Sequence, residues 1–333
     1  MQIGIHSTKG SFSDRWIAYC ENQHISYKIV DCYKSNIIQQ LADCDALMWH
    51  FNHAGSKDVL FAKQLLYSVK ASGKQVFPDF ETVWHFDDKV GQKYLLEAIG
   101  APLVPSYVFY TKEEALDWVN QTDFPKVFKL RGGAGSANVR LAITKSDAIK
   151  LIRRAFGRGF SQYEGWSNLS ERFRKYKNGK TSLFDVFKGV IRLFHTTDFA
   201  KVHGREKGYI YFQDFIDGND SDIRVIVIDG KAFAIKRLVR KNDFRASGSG
   251  HILYEKELFD EATLKLSFEM AEKISTQCIA FDFVYDFDKP KIVEISYGFS
   301  TAGYEDCPGY WDKSLNWHEG KFDPYGWMVK TLI

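Results

Sequence analysis

The chain has 333 residues, 45% of them apolar and 16% aromatic, with a formal charge of +3 at pH 7. That length exceeds what one simple core holds and predicts two or three subdomains, and the near-neutral charge gives no reason to expect a nucleic-acid partner. The five cysteines are odd in number, widely spaced and without metal-ligand or redox-motif spacing, which points to a reducing, cytoplasmic setting; no signal peptide and no run near the ~18–20 apolar residues of a membrane span is read.

Residues 1–80 alternate strand and helix. Strands are expected at Ile3–His6, Ser26–Val30, Ala46–Phe51 and Gln75–Pro78, with helices at Phe12–Asn22, Ile37–Ala42 and Val59–Val69. This order predicts a small open parallel sheet with helices on both faces and functional loops at the carboxyl ends of its strands. Those ends carry His6 to Gly10 and His50 to His53, which also read as ordinary polar loops. Their glycines do not match a dinucleotide fingerprint.

Thr82–Ile99 is expected as one helix closed by Gly100. A strand follows Pro105, then a helix over Glu113–Val119. Phe124–Leu130 and Val139–Ile143 are strands flanking Arg131-Gly132-Gly133-Ala134-Gly135-Ser136-Ala137-Asn138. Residues this small let backbone N–H groups approach an anion, and Lys129 at the strand end offers a phosphate a point charge. Taken alone, a glycine-rich hairpin also reads as a flexible turn.

From Lys150 to Lys207 the chain holds 14 Lys or Arg against five Asp or Glu, interleaved with aromatic residues. It reads as an insertion at about 150–207. A basic aromatic face suits an anionic partner or peripheral contact with a membrane surface, and equally a solvated face over a local aromatic core. The order resumes with strands over Gly208–Ile216, Ser221–Ile228 and Lys231–Arg240, the last two joined by an Asp229-Gly230 hairpin turn. A glycine-serine loop spans Asp243–Gly250, and Asp260–Ser275 is helical.

Ala280–Tyr285 and Lys291–Ser296 then read as a hairpin about an Asp286–Pro290 turn. It sets Asp282 and Glu294 on adjacent strands. Two neighbouring carboxylates repel unless a cation lies between them, and hard oxygen ligands suit Mg²⁺; an edge hairpin with two solvated acids is the other reading. The tail from Tyr297 is ring-rich, which suits either a sugar or peptide substrate or packing against the sheet.

In this order and spacing the pieces resemble the ATP-grasp superfamily, with its carboxylate–amine ligases the nearest likeness. The elements are Asp88-Lys89 opening a helix, Val127-Phe128-Lys129 with its glycine loop, Gln213-Asp214-Phe215-Ile216, Asp222-Ile223-Arg224, Lys236-Arg237, Asp243-Phe244-Arg245, and the acids Asp282 and Glu294. The resemblance runs from Met1 to about Phe299, apart from the insertion. It implies an α/β fold, α+β in part. An N-terminal open parallel-sheet domain would cover 1–85. A lid subdomain at 86–215 would carry the insertion, and a C-terminal antiparallel-sheet subdomain would cover 216–333.

The same resemblance implies that Lys89 and Lys129 hold ATP phosphates and that Gly132, Gly133, Gly135 and Ser136 lie in the loop over the γ-phosphate. Gln213, Asp214, Phe215 and Ile216 would take adenine through their backbone, and Asp222 the ribose. Arg224, Arg237 and Arg245 would stand near the transferred phosphate and acceptor carboxylate, and Asp282, Glu294 and Ser296 would ligate Mg²⁺. At the position of Ser296 the family usually carries Asn, and a hydroxyl is the poorer ligand. The implied activity is ATP- and Mg²⁺-dependent joining of a small-molecule carboxylate to an amine, on a carboxylated sugar or peptide-like precursor. The rivals are an ATP-grasp kinase that forms no amide and a non-catalytic nucleotide-binding module. A homodimer is compatible with the sequence.

Overall fold

The computed structural model describes residues 1–133, 138–161, 182, 204–240 and 243–333. Most of the basic insertion, with Gly135 and Ser136, therefore lies outside the described residues. The chain divides into two compact units. One comprises Met1–Asn52, Lys57–Val104 and Ile216–Ile333; the other comprises His53–Ser56 and Pro105–Phe215. Residues 86–104, grouped with the lid segment on sequence, thus share the unit that holds both chain termini.

The first unit opens with β1 (Gln2–His6), α1 (Phe12–Asn22), β2 (Ser26–Val30), α2 (Ile37–Gln40), β3 (Ala46–Met48), α3 (Ser56–Ala71) and β4 (Gln75–Phe77). The strands form a parallel sheet in the order β2-β1-β3-β4. Strand alternation sorts its core onto two faces. Ile3, Ile5, Met48 and Phe77 pack with Phe12, Trp16 and Cys20 of α1, while Leu47 and Val76 pack with Ala62, Leu66 and Val69 of α3.

The single helix expected over Thr82–Ile99 is two, α4 (Phe80–Val83) and α5 (Lys89–Ala98). Asp87 takes φ +54°, and the Asp88 carboxylate accepts from Gly91 N–H at 2.9 Å, capping α5. A local capping hydrogen bond won over continuous helix, and it makes Lys89 the first helical residue.

The second unit contains β5 (Ser106–Phe109), α6 (Lys112–Val119), β6 (Lys126–Lys129), β7 (Arg140–Ala142), α7 (Lys145–Ala155), β8 (Phe160–Ser161), β9 (Arg205–Glu206) and β10 (Ile210–Asp214). β5-β10-β6-β7 form an antiparallel sheet, and β8 pairs with β9. Phe128, Ala142, Ile210 and Phe212 bury one sheet face against Ala115 and Val119 of α6 and Ala148, Ile152 and Ala155 of α7. A capping box at Thr144 and Asp147 starts α7.

The first unit resumes with β11 (Ser221–Ile228), β12 (Lys231–Leu238), β13 (Ile252–Leu253), α8 (Glu261–Ile274), β14 (Cys278–Asp286), β15 (Lys289–Ser296), β16 (Gly309–Asp312), β17 (Trp317–Glu319) and α9 (Pro324–Lys330). The strands form one sheet, β15-β14-β11-β12-β16-β17, with β13 also on β12. The turn between β14 and β15 is tighter than Asp286–Pro290: Lys289 and Pro290 already pair with Asp286 and Tyr285. One face, with Val225, Phe281, Phe283, Ile292 and Ile295, packs on Leu264, Phe268 and Ile274 of α8. The other, with Ile226, Phe233, Ile235, Cys278 and Ala280, shares a core with α1 and with Met328 and Val329 of α9. The ring-rich tail is largely part of these cores, since Tyr304, Trp311 and Trp327 are all buried. The packing reading of the tail is the one its geometry supports. Among the described residues no helix is long and apolar enough to cross a membrane.

Candidate active site

The second face of the seven-stranded sheet changes from apolar to charged toward one end. Cross-strand register dictates this. Asp222 pairs with Arg237, Arg224 with Asp282, and Asp282 with Glu294, so the side chains share one face in two adjacent rows, Arg237–Asp222 across β12 and β11 and Arg224–Asp282–Glu294 across β11, β14 and β15. The same face continues into Ile226, Ile235 and Ala280. Between Asp282 and Phe283 the β14–β15 ladder slips by one residue, with Val293 extra. This bulge lets Ile292 and Ile295, three apart, both face the core, and it turns Glu294 and Ser296 onto the face of Asp282.

The acids are tightly held by cations. Arg237 Nε and Nη2 donate to Asp222 Oδ1 and Oδ2 at 2.7 Å each, and Arg237 Nη2 lies 3.1 Å from Asp282 Oδ1. Arg224 Nη1 donates to both Asp282 oxygens at 3.2 Å, and its Nη2 donates to Gly298 O at 3.1 Å. Lys89 Nζ, from the first turn of α5, lies 3.2 Å from Glu294 Oε1. The helix is seated there by its own side chain, because Gln92 Oε1 accepts from Ile295 N–H. Burial alone would lower the Arg237 pKa, but the Asp282 and Asp222 carboxylates more than offset it, so the value is raised. Burial pushes the Asp222 carboxyl up against the pull of Arg237. With the fork at bidentate distance, the pair is ionic at neutral pH.

Asp282 and Glu294 fit a hard divalent cation: two carboxylates at facing register positions, with side chains 15% and 30% exposed. Ser296 is engaged elsewhere. Its hydroxyl donates to Gly298 O at 3.0 Å and accepts from Gly298 N–H at 3.2 Å, closing a local turn. Among the described residues no group of three or more His, Cys, Asp or Glu is placed to hold a metal.

In the second unit Lys129 and Gln213 lie on the sheet face opposite α6 and α7, and Asp214 on the face toward them. Lys129, at the end of β6, is buried and donates to Gln213 Oε1 at 2.6 Å. Gln213 Nε2 donates to Ser106 Oγ at 3.0 Å, as does Tyr211 Oη at 2.9 Å. Asp214 takes Lys126 Nζ at 2.6 Å, and its N–H is engaged by Pro105 O. Of the expected hinge, Gln213 and Asp214 are thus strand residues, while Phe215 and Ile216 follow the strand and mark the junction of the two units.

Arg245 stands on the Asp243–Gly250 loop, where it holds Asp243 bidentately at 2.8 Å. His50 stacks on Phe12 at 3.7 Å and accepts from Phe12 N–H at Nδ1. His85 is fully buried, and burial drives its pKa down to about 4, which removes it from any substrate-facing role. Tyr304, in the ring-rich tail, is buried within electrostatic reach of the two arginines. Burial pushes its hydroxyl up to about 12, and the charges of Arg224 and Arg237 pull the other way. No spacing signal in the sequence brings that loop residue to the arginines.

Residues 193–307 match the family model of the RimK-like ATP-grasp domain. The fold is similar to that of a RimK domain ATP-grasp protein from Sphaerobacter thermophilus (13% identity, TM-score 0.56, 100% of this chain and 99% of that one). It is also similar to D-alanine–D-alanine ligase from Bacillus anthracis (15%, 0.51, 89% and 86%) and to the ATP-grasp ligase PsnB complexed with its precursor peptide and AMPPNP (13%, 0.54, 99% and 96%). The chain has the ATP-grasp fold, and its residues 193–307 carry the match to the RimK-like ATP-grasp domain.

Proposed function

We propose that the protein is an ATP-dependent carboxylate–amine ligase that forms an amide through an acylphosphate. The observation that carries this reading is the Asp282–Glu294 pair, set among Lys89, Arg224 and Arg237 at the charged end of an otherwise apolar sheet face. Asp282 and Glu294 would hold Mg²⁺, with phosphate oxygens and water completing its shell; the bound ion supplies charge neutralisation for phosphoryl transfer.

The chain's own residues do the rest. Lys129 and the N–H groups of the loop after it take phosphate charge, and Phe215 and Ile216 offer backbone to adenine. Arg224 and Arg237 are preorganised by Asp282 and Asp222, so their guanidiniums meet developing charge without reorganising. They orient the acceptor carboxylate and stabilise the oxyanion formed when the amine adds to the acyl carbon. The acceptor is a carboxylated sugar or peptide-like precursor, and fold likeness to a ligase complexed with a precursor peptide supports the peptide version.

The test is amine-dependent ADP formation across a panel of uronic acids, peptides and amines, with mass spectrometry of the product. Glu294→Gln should lower ADP formation roughly a hundredfold or more while leaving the melting temperature near that of the parent. ADP formation with no amine requirement, and a phosphorylated product, would replace the ligase reading with a kinase.

A further inference from the structure

The glycine loop that follows Lys129 begins with two backbone N–H groups, of Arg131 and Gly132, and both point at one carboxylate. Arg131 N–H donates to Glu206 Oε2 at 3.2 Å and Gly132 N–H to Glu206 Oε1 at 3.4 Å. Tyr209 Oη joins them. It accepts from Arg131 N–H at 2.6 Å and donates to Glu206. Successive N–H groups converging on one anion form a nest, a geometry that takes carboxylate and phosphate oxygens alike.

Glu206 is not a passing surface side chain. Its strand, β9, pairs with β8, and Arg205 beside it donates to Arg158 O at 2.6 Å and to Gly159 O at 2.8 Å. Gly159 takes φ +70°, and a Cβ there would come within 2.6 Å of Glu206 O, so the backbones meet as closely as glycine permits. Gly208 N–H donates to Ala155 O at the end of α7. Glu206 is thus delivered to the nest from a fixed root, and all of these residues belong to the second unit.

We infer that Glu206 is an intramolecular occupant of a phosphate-accepting nest, and that a nucleotide's phosphates must displace it. An ionised carboxylate and a polyphosphate exclude each other from the same two N–H groups, both by hydrogen-bond competition and by like charge. Glu206 therefore sets nucleotide affinity from the C-terminal edge of the basic insertion. The inference rests on the nucleotide-binding reading of this loop.

Calorimetry with ADP and with adenosine tests it on the wild type, Glu206→Gln and Tyr209→Phe, each checked by thermal melting. Glu206→Gln keeps the shape and an acceptor oxygen but removes the charge. It should tighten ADP roughly five- to tenfold, the scale of a solvent-screened like-charge contact, and leave adenosine unchanged. Tyr209→Phe removes the hydroxyl that anchors the carboxylate and should act in the same direction by less. ADP affinity unchanged or weakened in Glu206→Gln, or an equal gain for adenosine, overturns the inference alone. Absence of ADP binding in all three folded proteins removes the nucleotide reading and the inference together.

Discussion

Arg237 carries two half-buried acids at once, which gives its removal a two-sided signature. Its side chain is 10% exposed, those of Asp222 and Asp282 16% and 15%. Arg237→Met keeps most of the side-chain volume and deletes the charge. Asp222 then loses both bonds of its bidentate fork, and Asp282 loses Arg237 while keeping Arg224. Breaking a buried pair from one side costs about 3–5 kcal/mol, because an uncompensated charge remains. Asp282, with less cationic charge around it, faces Glu294, where a divalent cation is expected. Magnesium at a hundred times its dissociation constant would return about 2.7 kcal/mol. Urea unfolding followed by tryptophan fluorescence, with magnesium chloride or with sodium chloride at matched ionic strength, reads both effects. The variant should unfold at lower urea than the parent in sodium chloride, and magnesium should raise its midpoint more than the parent's. Asp222→Asn in the same background should recover part of the loss, and Arg237→Lys should fall between, since an ammonium keeps charge without the fork. A variant as stable as the parent, or an equal magnesium response in both, would refute the reasoning that Arg237 and the cation share these acids.

Lys129→Met should weaken ADP binding by roughly tenfold or more while leaving the fold intact, because it removes the ammonium at the head of the glycine loop and leaves the Gln213–Ser106 bond in place; calorimetry checks it. His85 predicts a pH dependence of stability. Its neutral ring is enclosed, with a pKa of about 4 against 6.5, so between those values the unfolded chain binds a proton that the folded chain refuses. Stability should therefore fall as pH drops through that window, by about 3 kcal/mol in full. His85→Leu should flatten that part of the urea-midpoint profile, and a variant profile parallel to the parent's would contradict the assignment.

Much of the architecture was legible because period and punctuation agree. Phe12–Asn22 has its apolar face and cap, Asp229-Gly230 sits between two alternating runs, and both elements stand where expected. What was not legible depended on choices between near-equal local options. A continuous helix over Thr82–Ile99 satisfies propensity, but the Asp88 carboxylate on Gly91 N–H satisfies an orphan donor, and no periodicity count weighs one against the other. The third strand stops at Met48, although Trp49 and Phe51 continue the apolar run; Trp49 N–H still donates to Phe77 O at 2.9 Å, and Phe51 is buried as a ring packing with Trp49, Tyr297 and Phe86. The tail's rings advertised a binding surface because composition does not say which way a ring faces.

The acid pair shows the limit most clearly. Alternation along Ile292-Val293-Glu294-Ile295 places Ile292 and Glu294 on one face, which would point the carboxylate into the apolar layer against α8. Burying an unpaired carboxylate there costs far more than one extra unpaired strand residue. The sheet inserts the extra residue, and Glu294 emerges beside Asp282 and Lys89 while Ile292 and Ile295 both stay inside. The bulge is therefore the feature on which the candidate chemistry depends. Regular pairing that kept every residue would set Val293 opposite Asp282 and turn Glu294 into the layer against α8, whereas deleting Val293 would remove the extra residue and leave Glu294 facing Asp282.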